Sequence, residues 1–323
     1  MTNPVIFAYS FSSEGKATKI SNEKVADELE NKGLAWVHLD NNRKSIKQWL
    51  QREVSYLDHL IIDALTAEEI RPRVMEFDSG LLIILRGINL NKDSEPEDMV
   101  SIRAWIDAER IITIQRREMK SLFDLRDQVE NGKVIKNSGE FVYNLIYQTL
   151  FVTAPFLYAL GDKVDDLEEK IMTTHDVAFR EEILQIRTKL TTFKRYLAPQ
   201  REAIAKLRIC EQEWTDDWTK RHFQENLDQI TMMIEEVEET RDRAKILHDE
   251  IFHGLSEKLN KSMYVLSLVS SIFIPLTFFT SIFSVNIGGL PGVGKDFAFW
   301  SMMVTMFAVA ILQILFFKKK KLF

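Results

Sequence analysis

The stretch GGLPGVGKD, residues 288–296, has the spacing of a phosphate-binding loop, with Gly289 followed after four residues by Gly294 and Lys295. Such a loop requires a strand before it, a helix after it and a hydroxyl next to the lysine to hold Mg²⁺. Here the next residue is Asp296, whose carboxylate repels phosphate. The glycines therefore do not form a nucleotide site, and we interpret them as a connection between the segments on either side.

Those flanking segments, 263–283 and 297–317, contain no charged residue. Each is as long as the run of about 20 apolar residues that crosses the hydrocarbon core of a membrane. Lysines lie before the first segment, at 258 and 261, and after the second, at 318–321, whereas the connection has only Lys295. Positive residues favour the cytoplasmic side. We therefore expect a multi-pass protein of the cell inner membrane with both termini in the cytoplasm.

Outside these segments the chain reads as a soluble protein, since 28% of its 323 residues are charged. The single cysteine, Cys210, excludes an intramolecular disulfide and favours a reducing compartment. Short runs rich in β-branched and aromatic residues, such as VIFAYS and RIITIQ, predict strands before residue 120, with helical patterns between them. From about residue 121 the patterns are helical. The fold class is α+β.

The expected organisation follows the chain in order: a cytoplasmic α/β domain over 1–120, a cytoplasmic helical region over 121–214, a stalk helix over 215–262, a first transmembrane helix over 263–283, an external loop over 284–296, a second transmembrane helix over 297–317 and a basic tail over 318–323. Pro275 and Gly254 are the only helix-breaking residues between Thr215 and Phe283, so the stalk can continue into the membrane as one helix.

The first transmembrane segment has a stripe of small hydroxyl residues at steps of three and four, which is one face of a helix. The positions on this face are Ser267, Ser270, Ile274, Thr277, Ser281 and Ser284, of which all but the isoleucine carry a hydroxyl. Such a stripe lines a polar path or, equally, packs tightly against another membrane helix. The polar Asn286 at its end and the acidic helix before it favour the path. Two helices per chain cannot enclose an aqueous path, so transport requires several copies.

Between Ser262 and Gly294 the chain has no Asp, Glu, His, Cys, Lys or Arg. A carrier that grips a dehydrated ion needs ionisable or soft ligands, whereas hydroxyl and amide oxygens suit a cation that keeps its water. Met263, Leu266 and Ile274 on the same face could close the path by excluding water, or be ordinary packing residues. No nucleophile beside a base was found, so we expect no enzyme, no cofactor and no nucleic-acid partner.

The segment PLTFFTSIFSVN, residues 275–286, followed by a short loop, a second span and a lysine-rich end, resembles the CorA superfamily of divalent-cation transporters. The hallmark of that family is a Gly-x-Asn tripeptide, here Ser284-Val285-Asn286, so a serine replaces the glycine. The valine, and the glycines and proline of the loop, resemble the zinc-transporting ZntB branch; these loop residues are Gly288, Gly289, Pro291 and Gly292. The stretches 71–91 and 96–107 resemble the same branch.

The resemblance implies a homopentameric funnel in the lipid bilayer that imports Zn²⁺, with coupling to protons. It implies a selectivity ring at the entrance, formed by Asn286 with its neighbours Ser284 and Val285. It also implies that the pore is lined at successive levels by Asn260, Met263, Leu266, Ile274 and Thr277. The span has no Asp, Glu, His, Cys, Lys or Arg, so any proton step must use cytoplasmic acids or histidines, or water.

Two alternatives remain open from the residues. One is a Mg²⁺ or Co²⁺ channel of the same superfamily, because nothing in the chemistry of Asn286 separates these ions from Zn²⁺. The other is a membrane-anchored sensor or scaffold whose spans only associate. In the stalk, His253 and Glu257 share a helix face, so a ring of copies could form a metal site from them, although surface residues are the ordinary interpretation.

Overall fold

The computed structural model describes residues 3–31, 33–42, 46–54, 56–67, 71–174, 178–285 and 294–320. The chain forms two compact units, residues 1–248 and 249–323. The strands are β1 (Val5–Phe11), β2 (Ala17–Lys19), β3 (Ala35–Asp40), β4 (Arg73–Phe77), β5 (Gly80–Gly87), β6 (Val100–Ile106) and β7 (Arg110–Gln115). The helices are α1 (Val25–Glu30), α2 (Ile46–Glu53), α3 (His59–Thr66), α4 (Lys120–Glu130), α5 (Ser138–Thr174), α6 (Phe179–Ile209), α7 (Asp217–Ser284) and α8 (Ala298–Lys319).

The seven strands form one sheet in the order β2-β1-β3-β7-β6-β5-β4. Neighbours pair antiparallel except β3 and β7, which are parallel, with Val37 opposite Ile112. The inner strand β3, next to the central strand β7, is buried along almost its whole length. A strand that is buried along its length is covered on both faces of its sheet. Helices cover the two faces of β3.

One face of the sheet packs against α1, α2 and α3 through a cluster that includes Leu39, Leu50 and Leu65, each fully buried. On the other face, Trp36 contacts the ring of Phe141 on α5, with centroids 4.8 Å apart. The α/β unit is therefore a helix–sheet–helix arrangement, and the sheet is its core.

The β4–β5 hairpin turns at Asp78 and Ser79 and places Gly80 against the end of strand β6. A Cβ at Gly80 would lie 2.5 Å from the carbonyl oxygen of Ile106. Only glycine permits this approach, so the hairpin holds its register beside β6 through the absence of a side chain.

Three long helices follow the sheet. The side chain of Asp216 accepts a hydrogen bond from the backbone N–H of Thr219 at 2.7 Å and so caps the beginning of α7. No further break occurs in α7, which continues through Gly254 and Pro275 to Ser284. An acidic stretch of the helix is held by ion pairs with its neighbours: Glu238 with Lys194 of α6, and Arg243 with Asp165 and Glu168 of α5.

The second unit contains the end of α7 and α8. Each of these two helices includes a window long and apolar enough to cross a membrane, and neither window is buried within the described chain. Low charge and high apolar exposure together are what a lipid-facing helix requires. The predicted span 263–283 lies within α7, and the predicted span 297–317 overlaps α8; where each span begins and ends in the membrane stays a prediction.

Candidate functional site: the hydroxyl face of α7

The hydroxyl stripe lies on one continuous face of α7, because the helix is unbroken from the stalk to Ser284. At 3.6 residues per turn, the nine positions expected to line the pore, which include this stripe, fall within an arc of about 120° around the axis. They are Asn260, Met263, Leu266, Ser267, Ser270, Ile274, Thr277, Ser281 and Ser284. All but the half-buried Ser270 are exposed within the described chain. The pore-lining set expected from sequence is thus one helix face.

The hydroxyls at the far end of this face are oriented by the helix backbone. Each donates its hydrogen to a carbonyl oxygen of the preceding turn at 2.8–2.9 Å; the donors are Thr277, Ser281 and Ser284. A hydroxyl has one hydrogen but two acceptor lone pairs. With the hydrogen used inside the helix, the outward side of each oxygen is an acceptor, and the face offers these oxygens to donors.

Metal-bound water is such a donor, because the ion polarises its O–H bonds. The face therefore has the chemistry to hold a hydrated cation without removing its water, which Mg²⁺ in particular gives up reluctantly. It lacks the His, Cys and carboxylate ligands that bind a bare transition metal.

Bulky apolar side chains alternate with the hydroxyls on this face. Met263, Leu266 and Ile274 are each about two-thirds exposed, at 66%, 67% and 66%. If several copies of the face met, these side chains would narrow the space between them, and a narrow apolar constriction excludes water. Their role as gate residues remains a prediction.

The end of the site falls partly outside the described residues. Ser284 closes α7 and Val285 follows it, 45% exposed. The asparagine expected at the entrance, Asn286, and the loop residues Gly288, Gly289, Pro291 and Gly292 lie outside the described residues. Their assignment stays a prediction from the sequence.

The possible stalk metal site receives no support within one chain. Nowhere in the described part of the chain do three His, Cys, Asp or Glu side chains group closely enough to hold a metal ion. His253 and Glu257 lie one turn apart on α7 and are both exposed. Ligands from further copies would be needed to complete a site there.

The structure shows the surroundings of two histidines in the first unit. His38 is fully buried in β3, with its Nδ1 2.9 Å from Thr113 Oγ1. That hydroxyl donates to the carbonyl oxygen of Val37 and accepts from Trp36 Nε1, so His38 Nδ1 is the donor of the remaining bond. Burial lowers the pKa of His38 to about 4, so the imidazole is neutral at cytoplasmic pH.

The other is His222, near the beginning of α7. Its ring stacks on Trp218 with centroids 3.6 Å apart and meets the edge of Tyr143 on α5 at 4.7 Å. The contacts of His38 with Thr113 and of His222 with Tyr143 join residues 75 or more apart in the chain and leave no local signature, which is why the sequence did not indicate them.

Comparison with known proteins places the chain in a family. The family model described as "CorA-like Mg2+ transporter protein" matches residues 31–319. This chain belongs to the CorA-like family. The match covers both units, and it confirms the resemblance inferred from the first span and from the stretches 71–91 and 96–107.

Two characterised relatives match most of this CorA-like chain. The zinc transport protein ZntB of Yersinia enterocolitica is 30% identical over 308 residues, covering 95% of this chain and 93% of the relative. The divalent cation transporter CmaX of Pseudomonas aeruginosa is 30% identical over 313 residues, covering 96% and 94%. These relatives are transporters rather than enzymes, as the sequence predicted for this chain.

Solved structures share the fold. The full-length CmaX structure superposes with a TM-score of 0.85 at 28% identity, over 99% of this chain and 98% of that one. The CorA magnesium transporter of Methanocaldococcus jannaschii superposes with a TM-score of 0.81 at 20% identity, over 98% of each. The predicted α+β class, with a long helix and two C-terminal spans, is therefore confirmed, and the CorA-like chain is a membrane protein.

Proposed function

We propose that this chain transports divalent metal cations across the membrane, with Zn²⁺ as its principal ion. Several copies, five by family resemblance, would bring their α7 membrane segments together around a wet axis. The observation that carries the proposal is the uncharged face of α7, whose hydroxyls at Thr277, Ser281 and Ser284 use their hydrogens within the helix and leave acceptor oxygens outward.

The absence of charge is part of the mechanism. A fixed carboxylate in a low-dielectric segment binds a divalent ion strongly, which slows its release; neutral oxygens bind its water shell weakly enough for it to leave. Hydroxyls spaced by one turn, about 5.4 Å, provide successive weak contacts along the path. The ion therefore moves from one ring of acceptors to the next with its inner shell of water retained.

Three further assignments belong to the proposal. Asn286 forms the selectivity ring at the external entrance, with Ser284 and Val285 beside it. Both termini face the cytoplasm across the cell inner membrane, as the lysines at 318–321 favour. A ring of copies brings together one His253–Glu257 pair from each stalk, which forms a weak cytoplasmic site for the same ion.

Zn²⁺ is proposed ahead of Mg²⁺ because a 30% identical relative over most of the chain is a zinc transport protein. The second candidate is a Mg²⁺ or Co²⁺ channel. The same helix face favours it, because hydroxyl oxygens do not distinguish hard metal ions from softer ones. If protons accompany the metal, a group outside the spans takes them up, because no Asp, Glu, His, Cys, Lys or Arg lies between Ser262 and Gly294.

The proposal is tested with the full chain in liposomes. Initial uptake of Zn²⁺ and Mg²⁺ is measured with and without a pH gradient, beside protein-free liposomes. We expect metal uptake, faster for Zn²⁺, and its loss or deregulation in Asn286→Ala. Mg²⁺ or Co²⁺ uptake without Zn²⁺ uptake selects the second candidate.

The scaffold alternative has its own outcome. No flux of any divalent ion from correctly inserted protein, together with cross-linking that stops at dimers, would show that the spans only anchor or pair the chain. Unchanged flux and ion preference in Asn286→Ala would remove that residue from the entrance while leaving transport itself intact.

A further inference from the structure

A groove lies in the second unit between the end of α7 and the beginning of α8. Its cavity has a volume of about 410 Å³. The walls are mainly apolar, formed by Phe279 and Phe283 of α7 and by Phe297, Met302, Met306 and Val309 at and along α8. The hydroxyl face of α7 does not use this groove, so its occupant is a separate question.

The groove has one charged residue at its end. Lys295 lines it, with its Nζ 5.8 Å from the centroid of the Phe297 ring. It is the only cationic residue between Lys261 and Lys318. No carboxylate pairs with its ammonium within the described residues, even though Asp296 is next to it in the chain. An occupant that satisfies the whole groove must therefore be apolar along its length and anionic at one end.

The dimensions match one leaflet of a membrane. From Phe297 to Val309 the groove follows α8 for 12 residues, about 18 Å at 1.5 Å per residue. Half of a hydrocarbon core about 30 Å thick is about 15 Å. One acyl chain can therefore lie along the groove while its headgroup stays at the level of Lys295, where the membrane meets water.

A second copy of the chain fits the groove less well. The segments 263–283 and 297–317 contain no acidic residue, so a transmembrane helix of another copy would cover Lys295 without pairing its charge. Leaving an ammonium unpaired in an apolar contact is costly, whereas a phosphate both pairs with it and accepts its hydrogen bonds. The charge at the mouth of the groove thus favours lipid over protein.

We propose that this groove binds an anionic phospholipid, with an acyl chain between Phe279 and Met306 and the phosphate against Lys295. The site lies on the membrane-facing part of the second unit, and its occupancy does not depend on which ion the protein moves. Bound lipid would join the end of α7 to α8 at the level where the hydroxyl face ends.

The test uses the full chain in detergent, titrated with phosphatidylglycerol or phosphatidylcholine, and counts retained lipids by native mass spectrometry. We expect phosphatidylglycerol to be retained preferentially. Lys295→Ala should lower that preference at least threefold, and Lys295→Arg should preserve it. Val309→Trp, which fills the groove, should remove the retained lipid.

The matched control is Val304→Trp, on the same helix at a position that is 68% exposed and does not line the groove. It should retain lipid like the unmodified chain. Equal retention in the two tryptophan variants overturns the proposal, as does a headgroup preference that survives Lys295→Ala. A change of oligomer mass in Val309→Trp with lipid retention unchanged also overturns it, because the groove would then be a contact between copies. These readouts need no ion flux, so they stand apart from the transport experiment.

Discussion

The hydroxyl face of α7 can be tested by removing one hydroxyl while keeping the shape of the side chain. Thr277→Val does this on the face. Thr280→Val is the matched control, since Thr280 is rotated by about 60° around the same helix. Both hydroxyls donate to the carbonyl four residues earlier, at 2.8 Å for Thr277 and 2.7 Å for Thr280. Loss of that internal bond is therefore common to both variants.

The difference between the variants isolates the outward acceptor. A hydrogen bond to a charged group contributes about 1.5 kcal/mol or more, and water on a divalent cation is such a charge-assisted donor. If the passing ion contacts one Thr277 oxygen, its loss raises the barrier by about 1.5 kcal/mol; with two contacts, by about 3 kcal/mol. At about 1.36 kcal/mol per tenfold change, the rate falls about 10-fold to about 150-fold.

The assay is the initial rate of Zn²⁺ uptake into liposomes that contain equal amounts of correctly inserted full chain. We expect Thr280→Val to keep the rate of the unmodified protein and Thr277→Val to fall within the stated range. If both variants kept the rate of the unmodified protein, the reasoning would be refuted, because Thr277 would then be a packing residue. A similar loss in both would place the whole turn, rather than one face, against the ion path.

Three predictions concern the first unit, residues 1–248. Thr113→Val removes the acceptor shared by Trp36 and His38, and leaving two buried donors unpaired should lower the free energy of unfolding by about 2–5 kcal/mol, measured by denaturant titration. The pKa of His38 is about 4 in the folded chain and 6.5 in the unfolded chain. The contribution of His38 to the free energy of unfolding is therefore complete above pH 6.5 and decreases by about 3 kcal/mol as the pH falls towards 4. A His38→Asn variant whose stability has the same pH dependence would contradict this. Gly80→Ala should lower the free energy of unfolding by about 1–3 kcal/mol, because the new Cβ clashes with a backbone oxygen. Gly161→Ala, inside α5, meets only side-chain atoms, Glu236 Oε1 at 3.3 Å and Thr240 Oγ1 at 3.8 Å, and should not destabilise; thermal melts compare the two.

Much of the fold could be read from local pattern. The runs VIFAYS, LAWVHL, GLLIILRGINL, SIRAWID and RIITIQ coincide with β1, β3, β5, β6 and β7, because β-branched and aromatic residues pack well on a buried sheet. The strands β2 and β4 and the helix α1 were not predicted. Each is short and partly exposed, so its residues show little periodicity, and it forms because a neighbouring strand or the core holds it.

In the candidate site too, one feature followed from local sequence and another only from the structure. The spacing of the hydroxyls along one span required only the period of a helix, so the sequence predicted the face before any tertiary contact was known. The spacing did not determine where the hydrogens of these hydroxyl groups point. It depends on the helix continuing past Pro275, which leaves the carbonyl oxygens of the preceding turn in reach of Thr277 and Ser281.

The sequence by itself determined the two membrane segments and the polarity of each face of α7, because the hydrocarbon core admits only long uncharged helices and a helix repeats every 3.6 residues. Tertiary structure alone decided the parallel pairing of β3 with β7, the burial of His38 against Thr113 and the groove that ends at Lys295. Those features join residues far apart in the chain. Their geometry depends on how whole elements pack, a free-energy balance that no local run of residues contains.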